Sequence, residues 1–354
     1  MIGSEIYNLN VYNYDIPHKQ IAQHPSDERD RSRLLVINQE GHIEHRVFTD
    51  ILGYLKPGDI LVLNNTRVIP ARLNALKEGT GGRVEVLLIK DIGDNNWEVM
   101  VNKRLRSCQM ISIGNGALTG QCININGRKV VKFNGGEVRK RLMEYGLPPL
   151  PPYIKRNGSD NGDSSLLDME RYQTVYAENE GSLAAPTAGL HFTDELLKKL
   201  RGLGIRTVNL TLHIGTGTFI PVKEEDLRHH RMEREFYHIP DETSEVINRA
   251  KAEGRRVIAV GTTTTKALES ASDREGNIIS GSGYTELFIY PGYRFRVVDA
   301  LITNFHQPKS TLLMLVGAFA GLDTIMTAYT EAIKSGYRFY SYGDSMLILR
   351  RRDV

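Results

Sequence analysis

Apolar and polar residues alternate through one stretch of the chain and recur at helical spacing through another. From Ala71 to Leu147 the pattern is that of strands. Val84, Val86 and Leu88 fall on one side of an extended segment. Asn126-Gly127 stands between Ile123, Ile125 and Val131, Phe133, which is the mark of a two-residue hairpin. Helical spacing enters only at Glu137–Tyr145. This stretch predicts a small antiparallel β-barrel or sandwich.

Beyond residue 170 strand and helix patterns alternate. Leu196, Leu197, Leu200 and Leu203 predict a helix, with Asp194 and Glu195 in its first turn and Gly204 as its stop. Val208, Leu210 and Leu212 predict a strand, and the continuous run Val257–Val260 predicts one buried on both faces. Ile325, Met326, Tyr329 and Ile333 predict a last helix that ends at Gly336. Such alternation predicts an α/β core. Ile60–Leu63 reads as a strand ahead of the β segment. Pro148, Pro149, Pro151 and Pro152 follow that segment as a stiff linker, and Asn157–Ser165, with no apolar side chain, predicts a mobile loop. Two arrangements fit this order. Either a β domain (70–152) is inserted into an α/β domain made of 1–69 and 153–354, or two domains follow one another.

Composition narrows the class without naming it. A chain of 354 residues has room for two domains, and 40% apolar with 25% charged residues is ordinary for globular proteins. Lys and Arg number 45 against 42 Asp and Glu, and a net charge of +3 is too small to announce a nucleic-acid partner. Cys108 and Cys122 make neither a disulfide framework nor a metal cluster and fit a reducing compartment. Met1–Asn10 lacks the apolar centre of a secretory leader, and Leu312–Ala320 falls short of the roughly 20 residues of a membrane span. The expectation is a cytoplasmic protein with no membrane association. His229 and Glu233 would share a face if they lay on a helix, but no fuller ligand pattern accompanies them, so no metal is expected.

Four segments could carry chemistry, and each also has a purely structural reading. Ala184–Phe192 places small residues and His191 ahead of a helix start, where backbone N–H groups favour anionic groups, or it is a capped loop. His213-Ile214-Gly215-Thr216-Gly217 follows a strand, where open α/β sheets bind ligands, or it is a tight turn. Gly261-Thr262-Thr263-Thr264-Thr265-Lys266 offers hydroxyls at a strand–helix junction, or it is a helix cap. Asp299 and Thr303-Asn304-Phe305-His306 line a cleft or form a satisfied polar network. Arg67, Arg72 and Arg104 lie in or beside the β segment, where a small barrel could hold looped RNA, or they are solvated surface charge.

Taken in order, the segments resemble the S-adenosylmethionine:tRNA ribosyltransferase-isomerase family of queuosine biosynthesis. The resemblance is carried by Gln23-His24-Pro25, by Asn64-Asn65-Thr66-Arg67-Val68-Ile69-Pro70-Ala71-Arg72 and by Tyr172-Gln173-Thr174-Val175-Tyr176. It continues through Ala184–Phe192, His213–Phe219, Tyr290-Pro291-Gly292, Thr303–Thr311 and Ser341-Tyr342-Gly343-Asp344. The chain departs at Lys266, where the family typically has Arg, and at His230-Arg231-Met232-Glu233-Arg234-Glu235, where His-x-Met-His-x-Glu is usual.

The resemblance implies the inserted architecture: an α/β main domain with a small antiparallel β-barrel inside it. It also implies transfer of the ribosyl moiety of S-adenosylmethionine to 7-aminomethyl-7-deazaguanine at the wobble position of tRNA with a G-U-N anticodon. Epoxyqueuosine-tRNA, adenine and methionine would be the products. S-adenosylmethionine is then a substrate, and neither a metal nor a redox cofactor is required. The sulfonium acidifies the neighbouring ribose 5′ protons, and a neutral imidazole suits their removal. His191 and His213 are the catalytic candidates, with His306 and Asp299 in support. Thr187, Gly189, Gly215, Gly217, Thr262 and Thr263 are the candidate S-adenosylmethionine contacts, and Arg67, Arg72 and Arg104 the candidate tRNA contacts. A monomer is expected. An S-adenosylmethionine-dependent methyltransferase and a tRNA-binding protein without catalysis are the competing readings.

Overall fold

The computed structural model describes residues 4–135, 137–156, 163–219 and 222–350. The chain divides into two compact units. One comprises Met1–Arg67, Pro152–Lys155 and Gln173–Val354, and the other Val68–Pro151 and Arg156–Tyr172. The first unit begins with strands β1 (Arg33–Ile37), β2 (Ile43–Val47) and β3 (Ile60–Asn64), and a short β4 (Thr66–Val68) leads out of it.

The second unit contains β5 (Arg72–Lys77), β6 (Arg83–Asp91), β7 (Asn96–Val101), β8 (Met110–Ile113), β9 (Leu118–Ile125), β10 (Arg128–Asn134), helix α1 (Val138–Tyr145), β11 (Gly146–Leu147) and helix α2 (Asp163–Arg171). Among the described residues its sheet runs β11-β5-β6-β7-β10-β9-β8, all antiparallel, and β8 pairs back onto β5. Six strands thus close into a barrel, which removes the free edges a small sheet would expose. Alternation fills it: Val84, Val86 and Leu88 are buried on β6 while their neighbours are not. The β9–β10 connection is the hairpin expected at Asn126-Gly127. Their φ of 51° and 80° are those of a type I′ turn, which the right-handed twist of paired strands favours. The loop expected over Asn157–Ser165 is corrected at its end, because α2 has begun by Asp163; the rest lies outside the described residues.

The chain then completes the first unit with β12 (Asn179–Ser182), α3 (Asp194–Gly202), β13 (Arg206–Leu212), β14 (Glu235–Ile239), α4 (Asp241–Ala252), β15 (Val257–Val260), α5 (Thr262–Ser270), β16 (Gly281–Thr285), β17 (Ala300–Asn304), α6 (Thr311–Ala320), α7 (Leu322–Lys334) and β18 (Ser345–Leu349). The described residues form a nine-stranded sheet in the order β16-β14-β13-β3-β15-β17-β18-β1-β2. Strands β13, β3, β15 and β17 are mutually parallel, and β18 turns antiparallel to β17. Strand β1 runs parallel to β18. The carboxyl ends of four strands therefore meet the amino ends of β18 and β1 along one edge.

Helices cover both faces, which explains the continuous apolar runs. On one face Ile60, Val62, Leu210 and Ala259 pack with α4 to α7; on the other Leu61, Leu63, Ile258 and Val260 pack with Leu196, Leu197 and Leu200 of α3. Each such aliphatic side chain, fully buried, contributes about 1.5–3 kcal/mol relative to exposure. The α3 helix starts where its Thr193 hydroxyl accepts the Leu196 N–H at 3.1 Å. Among the described residues no single helix is long and apolar enough to cross a membrane; α6 and α7 are separated by a 112° bend. His229 ends a single short turn, Leu227–His229, and Glu233 lies beyond it. The helical face they were expected to share is absent from the described structure.

Candidate active site

The edge where the four parallel strands end gathers most of the polar candidates. Asn64, the last residue of β3, is fully buried and ties three strand ends together. Its Nδ2 donates to the Leu212 carbonyl (3.0 Å) and the Thr263 hydroxyl (3.2 Å), and its Oδ1 accepts the Leu212 N–H (3.0 Å). Asn65 continues the network, accepting the Thr211 hydroxyl at 2.7 Å and donating to Glu178 at 3.0 Å. Buried amides satisfied in this way fix the strand ends rigidly.

His213 follows β13 and is half-buried. Its Nδ1 is hydrogen-bonded to the Thr66 hydroxyl at 2.8 Å, and its ring stacks on Phe236 with centroids 5.6 Å apart. A side chain on Gly181 would begin 2.8 Å from Nε2, so the glycine, at φ +148°, leaves that nitrogen uncovered. Burial lowers the imidazole pKa, which keeps the ring neutral, and so able to accept a proton, near pH 7. The Thr66 hydroxyl also points to the Asn179 carbonyl at 3.5 Å. That orientation lets Thr66 accept an Nδ1 proton and leaves the Nε2 lone pair free.

His191 sits differently. It is buried, with Nδ1 bonded to the Ser32 hydroxyl (2.7 Å) and Nε2 to the Asn304 amide (3.1 Å). Burial, joined by the charges of Arg338 and Arg29, pushes its pKa down to about 3. Both nitrogens are committed, so the ring braces Thr187–His191 against β17 and β1. His306 is also buried. Its Nε2 meets the Thr303 hydroxyl at 2.8 Å, and burial pushes its pKa down to about 3. Asp299 is not part of this edge. It precedes β17, whereas Asn304 and His306 lie at and beyond its far end, and five residues of strand separate them by about 17 Å. Its carboxylate accepts the Val257 N–H at 2.8 Å, at the opposite ends of β15 and β17.

The two neutral imidazoles make stability depend on pH. Folded pKa values of about 3 lie below the ordinary 6.5, so the unfolded chain binds the extra protons. Their contribution is intact above pH 6.5, falls as pH drops, and is gone below about 3. Each histidine steepens the loss by up to about 1.4 kcal/mol per pH unit. Buried Asp344, whose pKa burial raises, acts in the opposite sense and offsets part of it. His306→Gln should flatten the dependence of urea-unfolding free energy on pH between 6.5 and 3; an unchanged slope refutes the assignment.

The glycine and threonine candidates lie on the same edge. Gly189 has no room for a side chain: a Cβ would fall 2.0 Å from the Tyr176 hydroxyl. Gly215 and Gly217 run beside Glu233, and a Cβ on Gly217 would lie 3.3 Å from its carboxylate. Gly261, at φ +95°, turns the chain from β15 into α5. Of the following threonines, Thr264 and Thr265 donate their hydroxyls to the carbonyls of Val260 and Gly261, four residues back, at 2.6 and 3.2 Å. Thr262 and Thr263 instead line a cleft with Gly217, Glu233, Glu235 and Lys266.

Glu235 and Lys266 form a buried ion pair there, and Glu235 also accepts the Gly215 N–H at 3.2 Å. Glu233 accepts the Thr216 hydroxyl at 3.0 Å. The sequence pattern did not single out this acidic pair as site residues. They reach the Gly-x-Gly turn only because β14 pairs antiparallel with β13, bringing His213 N–H to the Phe236 carbonyl at 2.9 Å.

Of the arginine candidates, Arg67 is exposed and donates to the Ala177 carbonyl at 2.6 Å. In the barrel unit, Arg72 is largely covered and faces Glu85 at 3.4 Å, while Arg104 is exposed with its carbonyl held by Lys77 at 2.7 Å.

The model of a family described as "Queuosine biosynthesis protein" matches residues 9–348. A relative from Pelotomaculum thermopropionicum named S-adenosylmethionine:tRNA ribosyltransferase-isomerase is 49% identical over 348 residues, covering 97% of this chain and 100% of the relative. One from Clostridioides difficile, of the same name, is 49% identical, covering 95% and 98%. Among solved structures, an S-adenosylmethionine tRNA ribosyltransferase from Thermotoga maritima is 35% identical with a TM-score of 0.54, covering 96% of this chain and 100% of that one.

Proposed function

Because the chain belongs to the queuosine biosynthesis protein family, we propose that it acts as an S-adenosylmethionine:tRNA ribosyltransferase-isomerase. It transfers the ribosyl moiety of S-adenosylmethionine to 7-aminomethyl-7-deazaguanine at the wobble position of tRNA with a G-U-N anticodon. It isomerises that moiety and releases adenine and methionine. The observation that carries this reading is near-half identity to enzymes of that name over essentially the whole chain.

In this reading His213 is the base. Its free Nε2 takes a ribose 5′ proton made acidic by the sulfonium, and Thr66 holds the tautomer. The proton on the imidazolium is then available to the departing adenine. The substrate amine forms the new bond to the ribosyl carbon, and ring rearrangement breaks the bond to sulfur, which leaves as methionine. Gly217, Thr262 and Thr263, which line the cleft, and Gly215 two residues before Gly217 are the proposed S-adenosylmethionine contacts, with Thr187 and Gly189 on the turn that His191 braces. His306 supports the strand end through Thr303, and Asp299 acts at most on the sheet's other edge. A tRNA substrate supports a cytoplasmic enzyme.

Incubation with S-adenosylmethionine and tRNA bearing the deazaguanine precursor, followed by nucleoside analysis, tests the reading. Epoxyqueuosine, adenine and methionine are expected; S-adenosylhomocysteine would make it a methyltransferase, and no product would leave a binding protein. Arg67 and Arg104 serve as phosphate contacts. Removing either should reduce the slope of log binding constant against log salt by about 0.7–0.9. An unaltered slope refutes that role. Arg72, turned toward Glu85, should change it least.

A further inference from the structure

We propose that the buried Glu235–Lys266 pair is a positioning device for His213, holding the turn that begins at this residue in place against β14. The proposal rests on the activity above and adds two positioning residues to it, neither of which needs to touch substrate.

The register between β13 and β14 ends at Leu212 and Tyr237. Past that point three successive N–H groups hold the backbone of the turn. His213 donates to the Phe236 carbonyl at 2.9 Å, Ile214 to the Ser182 hydroxyl at 2.9 Å and Gly215 to Glu235 Oε1 at 3.2 Å. The first extends the strand pair, and the second ends on a neutral side chain. The third ends on a buried charge. Phe236, next to Glu235, also stacks on the imidazole, so two neighbouring residues of β14 set both the ring and the backbone that carries it.

A carboxylate buried in this way is costly unless it is paired. Lys266, buried too, supplies the cation at Oε2 and leaves Oε1 to the turn. Lys266 rises from the start of α5, which Asn64 pins to the end of β3 through the Thr263 hydroxyl at 3.2 Å. The pair thus joins the turn after β13 to the rigid ends of its neighbours. Stability alone does not call for charge here, because an apolar pair of similar volume often holds a fold as well or better. What the charge adds is direction: one oxygen aimed at one N–H, on a glycine whose backbone has no side chain to restrain it.

The test compares the unaltered chain with E235L/K266M, K266M and K266R. Single-turnover transfer at saturating S-adenosylmethionine is measured beside urea unfolding and S-adenosylmethionine calorimetry. E235L/K266M should unfold near the native urea midpoint yet transfer about 10- to 100-fold more slowly, the cost of a base misplaced by about an ångström. S-adenosylmethionine affinity should fall less than the rate, and K266R should recover most of what K266M loses. In a His213→Ala background the double change should add almost no further loss, because the group it positions is gone. A native rate in folded E235L/K266M overturns the proposal. So does a loss confined to affinity, or a full extra loss on top of His213→Ala. If E235L/K266M does not fold, E235Q/K266M, which keeps a neutral acceptor, carries the same comparisons with a smaller expected loss. These results leave the activity standing; absence of transfer by the unaltered chain overturns both.

Discussion

His213→Ala should lower single-turnover ribosyl transfer by about 10²–10⁴-fold, the usual cost of losing a positioned general base. Of the three imidazoles near the strand ends, this one combines a lowered pKa with a half-buried ring whose Nε2 has no partner among the described residues. His191 has both nitrogens bonded, and His306 is buried. The substitution should leave S-adenosylmethionine affinity close to that of the unaltered chain, because the ring is assigned to the proton and not to the ligand. Thr66→Val, which removes the hydroxyl at Nδ1, should cost less but in the same sense. The pH profile carries a second signature. The base must be neutral, so the rate falls on acidification, and burial places that fall below the ordinary imidazole range. Near-native transfer by His213→Ala, or an acid limb at the unperturbed histidine value, removes His213 from the mechanism.

Glu269→Ala should be among the most destabilising single changes in the main unit, at about 3–5 kcal/mol. Glu269 lies on α5 and is buried. Its Oε1 accepts the N–H groups of Val297 and Val298 at 3.0 and 3.2 Å, and its Oε2 accepts that of Arg296 at 2.9 Å and the Tyr293 hydroxyl at 3.3 Å. One carboxylate thus holds the segment that enters β17. Truncation strands backbone donors away from water, and an orphaned buried donor costs more than an ordinary hydrogen bond contributes. Glu269→Gln keeps one acceptor and should fall between. Urea unfolding measures both, and a loss below about 1 kcal/mol for the alanine variant contradicts this account.

Much of the architecture was legible along the chain. The Asn126-Gly127 hairpin, the alternation on β6 and the apolar run of β15 appear where local pattern placed them. These are features that near neighbours in sequence determine. Strand direction is different. Asp299 and His306 are close in sequence but a whole strand apart in space, and only the sheet shows that they face opposite edges. Glu233 was weighed as a helical partner of His229. Its real setting, beside Gly217, depends on the pairing of β14 with β13, which no local pattern encodes. The commitment of both His191 nitrogens, to Ser32 and Asn304, likewise joins residues 159 and 113 positions apart.

The order of strands also constrains how this chain can be made. β3 is flanked by β13 and β15, and β1 lies beside β18, whose last residue is Leu349. A ribosome emits β3 long before either of its neighbours exists, and β1 can pair at once only with β2, whereas the barrel strands pair with one another between Arg72 and Leu147. The nascent chain can therefore close its barrel early, but β3 must wait with both edges unpaired for β13 and β15, and β1 with one edge unpaired for β18.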